Sequence, residues 1–327
     1  MNDGKQKTWA LVLAAGSGTR LSRLTTDASG TAVPKQFCSL DGGASLLQEA
    51  LLRAHTIVPR ERTTAVVAAE HQRWWQSALR ALPTGNIVVQ PRNRGTAIGI
   101  LLPLLRILRR DPFARIVFLP SDHFVRDEAT LAGALVAAVE QLNGRHEALV
   151  LLGIAPDEAD PELGYIVPRQ GGRTDSARVE RFVEKPDAAV AQALIEAGGV
   201  WNTFIFAADA NALLALYRKR CPEIVEDMET ALARDGQDNT GSSALLELYE
   251  QLPNVDFSRH ILEGAEEQLR VLRVPACGWN DLGTPRRVAE AIQCLPTQRR
   301  ERDKRPLAMP GAWLNLAAAH ARLQLAG

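Results

Sequence analysis

The feature that most constrains the fold of this 327-residue chain is the alternation of short apolar runs with amphipathic segments over its first half. The apolar runs predict buried strands at residues 9–14, 63–68, 87–90, 116–120 and 149–153. The amphipathic segments predict helices at residues 46–57, 72–82, 98–109 and 128–142. Such alternation favours parallel strands joined by right-handed crossovers. We therefore expect an α/β fold built on a doubly wound sheet.

The second half of the chain is less regular. It predicts strands at residues 165–168, 179–184, 200–207 and 269–274, with helices at residues 188–197 and 210–220. We interpret these elements as a sheet extension that covers the ligand cleft. After Ile292, the charged run QRRERDKRP predicts a solvated connection to a last apolar helix at residues 312–325. The expected organisation is one domain over residues 1–292, followed by a polar connection and helical tail over residues 293–327.

Composition narrows the class of partner. Lys plus Arg and Asp plus Glu each number 38, so the net charge is zero and no global field attracts nucleic acid or an anionic membrane. The four cysteines form no CxxC pair, which is typical of a reducing compartment. No run approaches the ~20 apolar residues of a membrane span, and no signal-peptide cleavage pattern is present. We expect a soluble, cytoplasmic protein that binds neither nucleic acid nor membrane.

The polar motifs follow the ends of predicted strands, where doubly wound sheets bind their ligands. The first is LAAGSGTRLSRL at residues 13–24. Gly16 and Gly18 lack the third glycine of a dinucleotide fingerprint, and the Lys-Ser/Thr pair of a P-loop is missing. Backbone N–H groups of such a loop can approach an anion, and Arg20 adds a bidentate phosphate donor. Taken alone, an ordinary strand–turn–helix loop with a surface arginine remains an alternative.

A series of further motifs favours the anion site. Together, LAAGSGTRL and PKQF resemble the signature of the nucleotidyltransferases that make sugar nucleotides, and the PKQF form is similar to the mannose-1-phosphate guanylyltransferase branch. Similar segments follow in the same order: QPRNRGTA, LPSDH, LGYIVP, FVEKP, VWNTFIF, VDFSRHILE and GWNDLGTP. The resemblance covers roughly residues 9–290, and motifs in this order are far more specific than any one of them. It implies a Rossmann-like, doubly wound mixed sheet.

The resemblance also implies a reaction, in which an NTP and a sugar 1-phosphate give a nucleotide sugar and pyrophosphate. A sugar phosphate oxygen attacks the α-phosphorus of the nucleotide, in line with the departing pyrophosphate. The second pKa of a phosphate monoester is near ~6, so the nucleophile is already largely ionised and needs no general base. The remaining difficulty is to bring anions together, which cations and positioning overcome.

Five residues would carry this chemistry by resemblance: Arg20, Lys35, Asp122, Lys185 and Asp281. The two aspartates would hold Mg²⁺, because carboxylates are the hard donors that this ion prefers. Arg20 and Lys35 would face the triphosphate, and Lys185 would face the sugar phosphate. The alternatives are that Asp122 caps a helix, that Asp281 is a turn residue and that Lys185 is an ordinary solvated lysine.

The resemblance further implies two binding sets. The nucleotide would lie against Ala14, Gly16, Gly18, Arg94, Gly95 and Thr96. The sugar phosphate would lie against Gly164, Tyr165, Glu184, Lys185 and Asn202. Glu184 and Asn202 would bind ring hydroxyls, although Asn202 could instead only stabilise its strand end. Two positions depart from the family, since Gly95 stands where it usually has Asn and Gln90 where it often has Glu.

The expected product is GDP-mannose, made from GTP and mannose 1-phosphate with Mg²⁺. The same reaction with another base or hexose 1-phosphate stays open, as does a non-catalytic sensor of nucleotide sugars. A nicotinamide-dependent oxidoreductase is not favoured, because the third glycine is missing.

We assign His123 a hydrogen-bonding role beside Asp122, and Trp74 and Trp75 a packing role. The C-terminal helix could pair with a second subunit to form a homodimer, or cover its own domain.

Overall fold

One mixed β-sheet runs through the part of the chain that the computed structural model describes, which is residues 7–27, 29–143, 149–170, 176–235, 243–295 and 314–319. Its strands are β1 (Thr8–Ala14), β2 (Thr63–Ala68), β3 (Ile87–Gln90), β4 (Arg115–Pro120), β5 (Leu149–Ile154), β6 (Tyr165–Pro168), β7 (Ser176–Val183), β8 (Val200–Asp209) and β9 (Leu269–Val274). The strand order is β3-β2-β1-β4-β8-β5-β9-β7-β6, and β6 also pairs with β8.

Helices cover both faces of this sheet. The main helices are α1 (Leu46–His55), α2 (Gln72–Ala78), α3 (Gly95–Arg110), α4 (Glu128–Gln141), α5 (Ala188–Glu196), α6 (Ala210–Arg220), α7 (Pro222–Asp235), α8 (Ser243–Gln251) and α9 (Pro285–Gln293). Residues of α1, α4, α5 and α9 pack into one hydrophobic core, and residues of α3, α6, α7 and α8 pack into the other. Strand side chains alternate between the two cores, as Trp9 and Leu11 show against Ala10 and Val12.

The strands of the first half are parallel where the sequence predicts it. β1 pairs in parallel with β2 on one side and with β4 on the other, and β2 pairs in parallel with β3. The bounds of β2 and β3 agree with the prediction, and β1 and β4 each begin one residue earlier. Every residue of β2 is buried, as expected for a parallel strand covered on both faces. The predicted parallel arrangement of these four strands is therefore confirmed.

The neighbours of β5 differ from the prediction. The alternation places β5 in the same parallel series, but β8 lies antiparallel between β4 and β5. Phe118 of β4 stacks on Phe206 of β8, with ring centroids 4.2 Å apart. β5 then pairs in parallel with β9. Local periodicity predicts that a strand forms but not which strand lies beside it. The position of β8 between β4 and β5 was therefore not predicted.

The remaining strands of the second half are antiparallel to one another. Tyr165 of β6 pairs with Val183 of β7 on one side and with Trp201 of β8 on the other. β6 and β9 have the predicted bounds, whereas β7 begins three residues earlier and β8 ends two residues later than predicted. The sheet is therefore mixed, as the resemblance implies.

Three helices of the second half, α7, α8 and α9, were not predicted. α7 carries a signal that could have revealed it. Pro222 stands at its first position, and Val225, Met228 and Leu232 are buried at helical spacing.

Only residues 314–319 of the predicted tail are described, and Leu316 begins a short helical turn there. Ser39 donates its N–H to the Leu314 carbonyl at 2.9 Å, and the Leu316 N–H donates to the Ser39 carbonyl at 2.8 Å. Leu316 and Ala319 are buried in the core that contains α1. These six residues thus pack on their own chain, and the rest of the predicted helix at residues 312–325 lies outside the described residues. Within the described ranges, no helix is both long and apolar enough to cross a membrane.

Candidate active site

A cleft of about 560 Å³ brings residues of both halves together at the sheet edge where β1 and β4 end. The predicted site residues that line it are Gly16, Arg20, Gly95, Thr96, Asp122, Gly164, Glu184, Lys185, Asn202 and Asp281. The other predicted site residues do not line it: Ala14, Gly18, Lys35, Arg94 and Tyr165. Most of the predicted residues therefore meet at one concave site. The contacts described below explain why the others do not line it.

Gln36 fixes the glycine-rich loop after β1. Its Nε2 donates to the Ala14 carbonyl at 3.0 Å and to the Gly16 carbonyl at 2.7 Å. Gly18 has a φ of +60°, and a Cβ there would lie 3.1 Å from the Lys35 backbone nitrogen. This close approach accounts for the second glycine of the motif. Gln36 also lines the cleft, a role that sequence reasoning missed although the residue is part of PKQF.

Lys35 lies beneath the cleft and joins the two predicted metal ligands. Its buried ammonium forms an ion pair with the Asp122 carboxylate at 3.0 Å. The same ammonium donates to the carbonyls of Asp281 at 2.6 Å and Leu282 at 3.2 Å. Leu282 has a φ of +52°, a left-handed conformation that non-glycine residues rarely adopt outside functional sites. A single lysine thus holds Asp122 and Asp281 at one edge of the cleft.

The two aspartates have the donors that a magnesium ion needs. Burial alone would raise the pKa of Asp122, but the Lys35 ammonium and the His123 ring keep that pKa below its usual value. Asp281 is buried, and its Oδ1 accepts no hydrogen bond from any described residue. No group of three His, Cys, Asp or Glu side chains suited to a metal occurs in the described ranges. Two carboxylates fit an ion that takes its remaining ligands from water and phosphate.

His123 lies beside this pair in its neutral form. Trp279 donates its indole N–H to His123 Nδ1 at 3.3 Å, so the ring proton is on Nε2, 3.7 Å from Asp122 Oδ1. Burial lowers the pKa of His123 to about 4, against the opposing effect of Asp122. At neutral pH the ring therefore adds no positive charge, and Lys35 supplies the charge that faces Asp122.

Arg20 reaches across the mouth of the cleft. Its Nη1 donates to Glu162 Oε2 at 2.7 Å, and both side chains are about half exposed. Exposed ion pairs of this kind contribute only about 0.2–1 kcal/mol. A triphosphate with several negative oxygens can therefore displace Glu162 from the guanidinium.

The segment before α3 explains why residue 95 is glycine. Gly95 has a φ of +85°, and a Cβ there would lie 2.3 Å from the Val255 carbonyl oxygen. The Val255 carbonyl is fixed because it accepts from the Ala97 N–H at 3.0 Å. Arg94 donates to the carbonyls of Tyr249 at 2.6 Å and Glu250 at 3.0 Å, so its guanidinium holds the end of α8 and not the cleft.

Two side-chain amides lie at this end of the cleft. Gln90 is almost fully buried, lines the cleft, and its Oε1 has no hydrogen-bond partner among the described residues. Asn93 also lines the cleft and accepts the Gly95 N–H at 2.9 Å. Position 95 has no side-chain amide in this chain, but Gln90 and Asn93 supply two amides in the same part of the cleft. Asn93 was missed because the resemblance assigned it no role.

The end of the cleft where the sequence predicts the sugar site contains unusual backbone conformations. Lys185 has a φ of +50° and Phe204 a φ of +57°, and both residues line the cleft. Asn202 donates its N–H to the Gly164 carbonyl at 2.8 Å, and its Oδ1 accepts from the Phe204 N–H at 3.1 Å. Asn202 thus stabilises its strand and lines the cleft as well. A Cβ on Gly164 would lie 2.6 Å from Glu184 Oε2, so any other residue there would require the Glu184 carboxyl to move.

Glu184 has the most perturbed carboxyl of this group. Burial raises the pKa of Glu184 to about 7, and the nearby Asp256 carboxylate adds to the rise. Lys185, the Ser258 hydroxyl and Arg259 act in the opposite direction. Close to neutral pH, this side chain can therefore either donate or accept a hydrogen bond.

The segment at residues 254–260 forms part of the cleft wall, which sequence reasoning did not predict. Asp256, Ser258, Arg259 and His260 line the cleft, and Ser258–Leu262 forms a π-helical turn, a conformation common at functional sites. The Phe257 N–H donates to Thr96 Oγ1 at 2.8 Å, which joins this wall to the start of α3. The motif VDFSRHILE was the available signal, but it carried no assigned role.

Tyr165 supports the site from behind. Its side chain is fully buried, and its hydroxyl accepts from the Asp160 N–H at 2.8 Å and donates to the Asp160 carbonyl at 3.1 Å. The ring therefore fixes the loop between β5 and β6 and does not face the cleft.

Comparison with known proteins agrees with this arrangement. Residues 9–298 match the nucleotidyl transferase family, and the chain therefore belongs to that family. A crystal structure described as a mannose-1-phosphate geranyltransferase from Thermus thermophilus superimposes with a TM-score of 0.74 and 31% identity. The match covers 87% of this chain and 79% of that one. The expected α/β fold of the nucleotidyltransferase type is confirmed.

Two curated relatives narrow the branch of the family that this chain resembles. It is 33% identical over 279 residues to the xanthan biosynthesis protein XanB of Xanthomonas campestris pv. campestris (strain B100), which is 84% of this chain and 57% of that protein. It is 31% identical over 293 residues to a mannose-1-phosphate guanylyltransferase of Escherichia coli (strain K12), which is 86% of this chain and 59% of that protein. The chain thus spans rather more than half the length of these relatives.

Proposed function

We propose that this protein is a sugar-phosphate nucleotidyltransferase that makes GDP-mannose and pyrophosphate from GTP and mannose 1-phosphate. The observation that carries the proposal is the joining of Asp122 and Asp281 by Lys35 at the edge of a cleft lined by residues of both halves. The family and the name of the Escherichia coli relative support the choice of reaction and substrates.

Asp122 and Asp281 would hold Mg²⁺, which would neutralise charge on the phosphates of the bound nucleotide. Arg20 would leave Glu162 and donate to the triphosphate. Lys35 would keep both aspartates in place and lower the negative potential around the α-phosphorus. Lys185 would hold the sugar phosphate for in-line attack. No side chain needs to remove a proton, because the phosphate nucleophile is already ionised near neutral pH.

The base would lie against Gly16, Gln90, Asn93, Gly95 and Thr96. A glutamine amide can donate to O6 of guanine and accept from its N1–H, so Gln90 is chemically suited to this base. The same amide can also pair with other bases, and we therefore expect some tolerance for a second nucleotide. At the other end, Gly164, Glu184 and Asn202 would contact the sugar hydroxyls. The strands that carry these residues, β6, β7 and the start of β8, would form the predicted extension over the sugar site.

The proposed organisation keeps a catalytic domain over residues 1–292 and a tail over residues 293–327. We propose small-molecule substrates as its partners, in the cytoplasm, since the dispersed cysteines and zero net charge favour that setting. A homodimer formed through the tail remains a prediction, which sedimentation of the purified protein at several concentrations would test.

The deciding experiment measures pyrophosphate release by the purified protein with Mg²⁺. Each of ATP, GTP, CTP, UTP and dTTP is combined with mannose 1-phosphate or with glucose 1-phosphate. We expect the largest rate with GTP and mannose 1-phosphate, and no release from Asp281→Asn. A different preferred pair would keep the mechanism and correct the substrates. Nucleotide binding without release from any pair would contradict the enzyme and favour a sensor.

A further inference from the structure

The first turn of α9 carries two neighbouring arginines in opposite environments. Arg286 is exposed and forms ion pairs with Glu158 and, at 2.7 Å, with Glu290. Arg287 is only 4% exposed. Its backbone N–H is capped by Thr284 Oγ1 at 3.2 Å. Because a guanidinium remains charged under all ordinary conditions, the buried Arg287 needs partners inside the protein.

The Arg287 guanidinium lies near three carboxylates and forms its shortest hydrogen bonds with one of them, Asp160. Its Nη2 and Nε donate to Asp160 Oδ2 at 2.7 and 3.1 Å, and Nη2 also lies 3.3 Å from Glu158 Oε1. Its Nε lies 3.7 Å from Asp281 Oδ1, which is beyond hydrogen-bond distance. The indole of Trp201 covers the guanidinium at 4.9 Å. Arg287 thus forms a longer ion pair with a proposed metal ligand but no hydrogen bond to it.

Asp160 is held firmly enough to keep Arg287 in this position. The two hydrogen bonds between the Asp160 backbone and the Tyr165 hydroxyl tie it to the buried strand β6. Its carboxylate is only 11% exposed, so it competes for the guanidinium without solvent screening. If that carboxylate were neutral, Arg287 Nη2 would keep Glu158 Oε1 at 3.3 Å, but the carboxylate oxygen nearest to Nε would be Asp281 Oδ1, at 3.7 Å.

We propose that Asp160 is a positioning residue that prevents Arg287 from hydrogen-bonding to Asp281 and so keeps Asp281 Oδ1 open to a divalent cation. A hydrogen bond from Arg287 would occupy the same oxygen and bring the positive charge closer to the cation than its present 3.7 Å from Oδ1. The buried Oδ1 without a hydrogen-bond partner among the described residues is the direct sign of this separation. The inference rests on the proposed function, because that function assigns Asp281 to the metal.

The proposal predicts opposite effects of two substitutions. Asp160→Asn keeps the shape but removes the charge, so Arg287 turns to Asp281 and cation affinity falls about 10-fold, as for loss of a residue that orients a metal ligand. Asp160→Asn combined with Arg287→Gln removes the competing cation and restores the affinity. Arg287→Gln alone binds the cation at least as tightly as the unmodified protein.

The test titrates Mn²⁺ alone into each full-length protein and measures free Mn²⁺ by electron paramagnetic resonance, with a melting curve to establish folding. Arg286→Gln is the matched control, since it removes the neighbouring arginine and its Glu158 contact without touching Asp281. Unchanged affinity in folded Asp160→Asn would overturn the proposal, and so would failure of the double substitution to restore binding. If Asp160→Asn does not fold, a weaker affinity in Arg287→Gln overturns it and an equal or tighter one supports it.

Asp281→Asn distinguishes failure of the metal assignment from failure of the proposed role of Asp160. If it binds Mn²⁺ as well as the unmodified protein does, Asp281 is not a ligand, and both the metal assignment and the role of Asp160 fail. If Asp281→Asn loses binding while folded Asp160→Asn retains it, the metal assignment stands and only the role of Asp160 fails. A merely structural Asp160 would lower the melting temperature without changing Mn²⁺ affinity.

Discussion

Two parts of the cleft reach unusual backbone conformations in different ways. They are the proposed nucleotide side around Gly16 and Gly95, and the proposed sugar side around Gly164 and Lys185. On the nucleotide side, the left-handed positions are glycines, Gly18 and Gly95. On the sugar side they are Lys185 and Phe204, for which the conformation costs about 1–3 kcal/mol. A left-handed glycine is visible in a sequence, because glycine is the residue that such positions demand. A left-handed lysine is not, so the first half of the site is easier to read from sequence than the second.

The charges of the two sides differ as well. On the nucleotide side, Arg20 is paired with Glu162 and Lys35 with Asp122 before any substrate binds. On the sugar side, Lys185 lines the cleft, and no described residue is hydrogen-bonded to its ammonium. In the proposed reaction, nucleotide binding would therefore exchange one set of ion pairs for another, whereas the sugar phosphate would meet an ammonium that no described residue hydrogen-bonds. The predictions below test this difference.

The largest effect on turnover is expected from Asp281, which lies between the two sides of the cleft. Asp281→Asn should lower turnover by about 10³-fold or more, because the chemical step loses its main electrostatic support, and the protein should remain folded. Steady-state rates and a melting curve measure the two properties. Asp157→Asn, an exposed aspartate of the β5–β6 loop, is the matched control. A near-normal rate in Asp281→Asn would remove the metal assignment.

Substitution of Lys185 should affect the binding of the sugar phosphate much more than that of the nucleotide. Lys185→Ala should raise the KM for the sugar phosphate about 10-fold to 100-fold, as for loss of a charge-assisted hydrogen bond, and change the nucleotide KM much less. Lys185→Gly tests the backbone separately, since it loses the same charge but relieves the left-handed strain. Both variants should lose sugar-phosphate binding equally, and Lys185→Gly should melt at the higher temperature. Equal effects on both substrates would place the ammonium elsewhere.

Glu184 should give the sugar side a pH dependence that the nucleotide side lacks. Since the pKa of Glu184 is raised to about 7, the carboxyl becomes a charged acceptor, with both oxygens free to accept from sugar hydroxyls, only as the pH rises through 7. The sugar-phosphate KM should therefore fall severalfold between pH 6 and pH 8. The Glu184→Gln profile subtracts the ionisation of the sugar phosphate itself, which occurs near ~6. Identical profiles in both proteins would contradict this role.

The same carboxyl should affect stability with the opposite sign. Its pKa is raised from 4.5 to about 7, so the folded protein binds more protons than the unfolded chain within that window. Its contribution to the free energy of unfolding therefore decreases as the pH rises from about 4.5 to 7. Denaturant unfolding across this range should show a steeper decline than in Glu184→Gln. Parallel curves would mean that the folded pKa is not raised.

The smallest effect is expected from the Arg20–Glu162 ion pair at the mouth of the cleft, and it should appear in the nucleotide KM. Glu162→Gln should lower the nucleotide KM about twofold to fivefold, because an exposed ion pair contributes only about 0.2–1 kcal/mol and no longer competes with phosphate. Glu290→Gln, which removes an exposed ion pair outside the cleft lining, is the control. A higher nucleotide KM in Glu162→Gln would show that Glu162 helps nucleotide binding instead of opposing it.

Much of the fold could be predicted because its signals are local. β2, β3, β6, β9 and α6 have the predicted bounds, since each is a continuous apolar run or a regular amphipathic segment. The insertion of β8 between β4 and β5 could not be predicted, because residues far apart in the chain decide it. The helices α7 to α9 were not predicted either, although the buried stripe of Val225, Met228 and Leu232 in α7 is a local signal.

The sequence by itself determined the glycines, the order of the motifs and most, but not all, of the predicted residues that meet in the cleft. Only the tertiary structure decided their partners: Lys35 between two aspartates, Arg94 on the end of α8, and Arg287 hydrogen-bonded to Asp160 but not to Asp281. Residue type fixes which charge or backbone conformation is available. Which charges meet depends on the distances between loops, and those follow from the order of strands in the sheet, which no local pattern encodes.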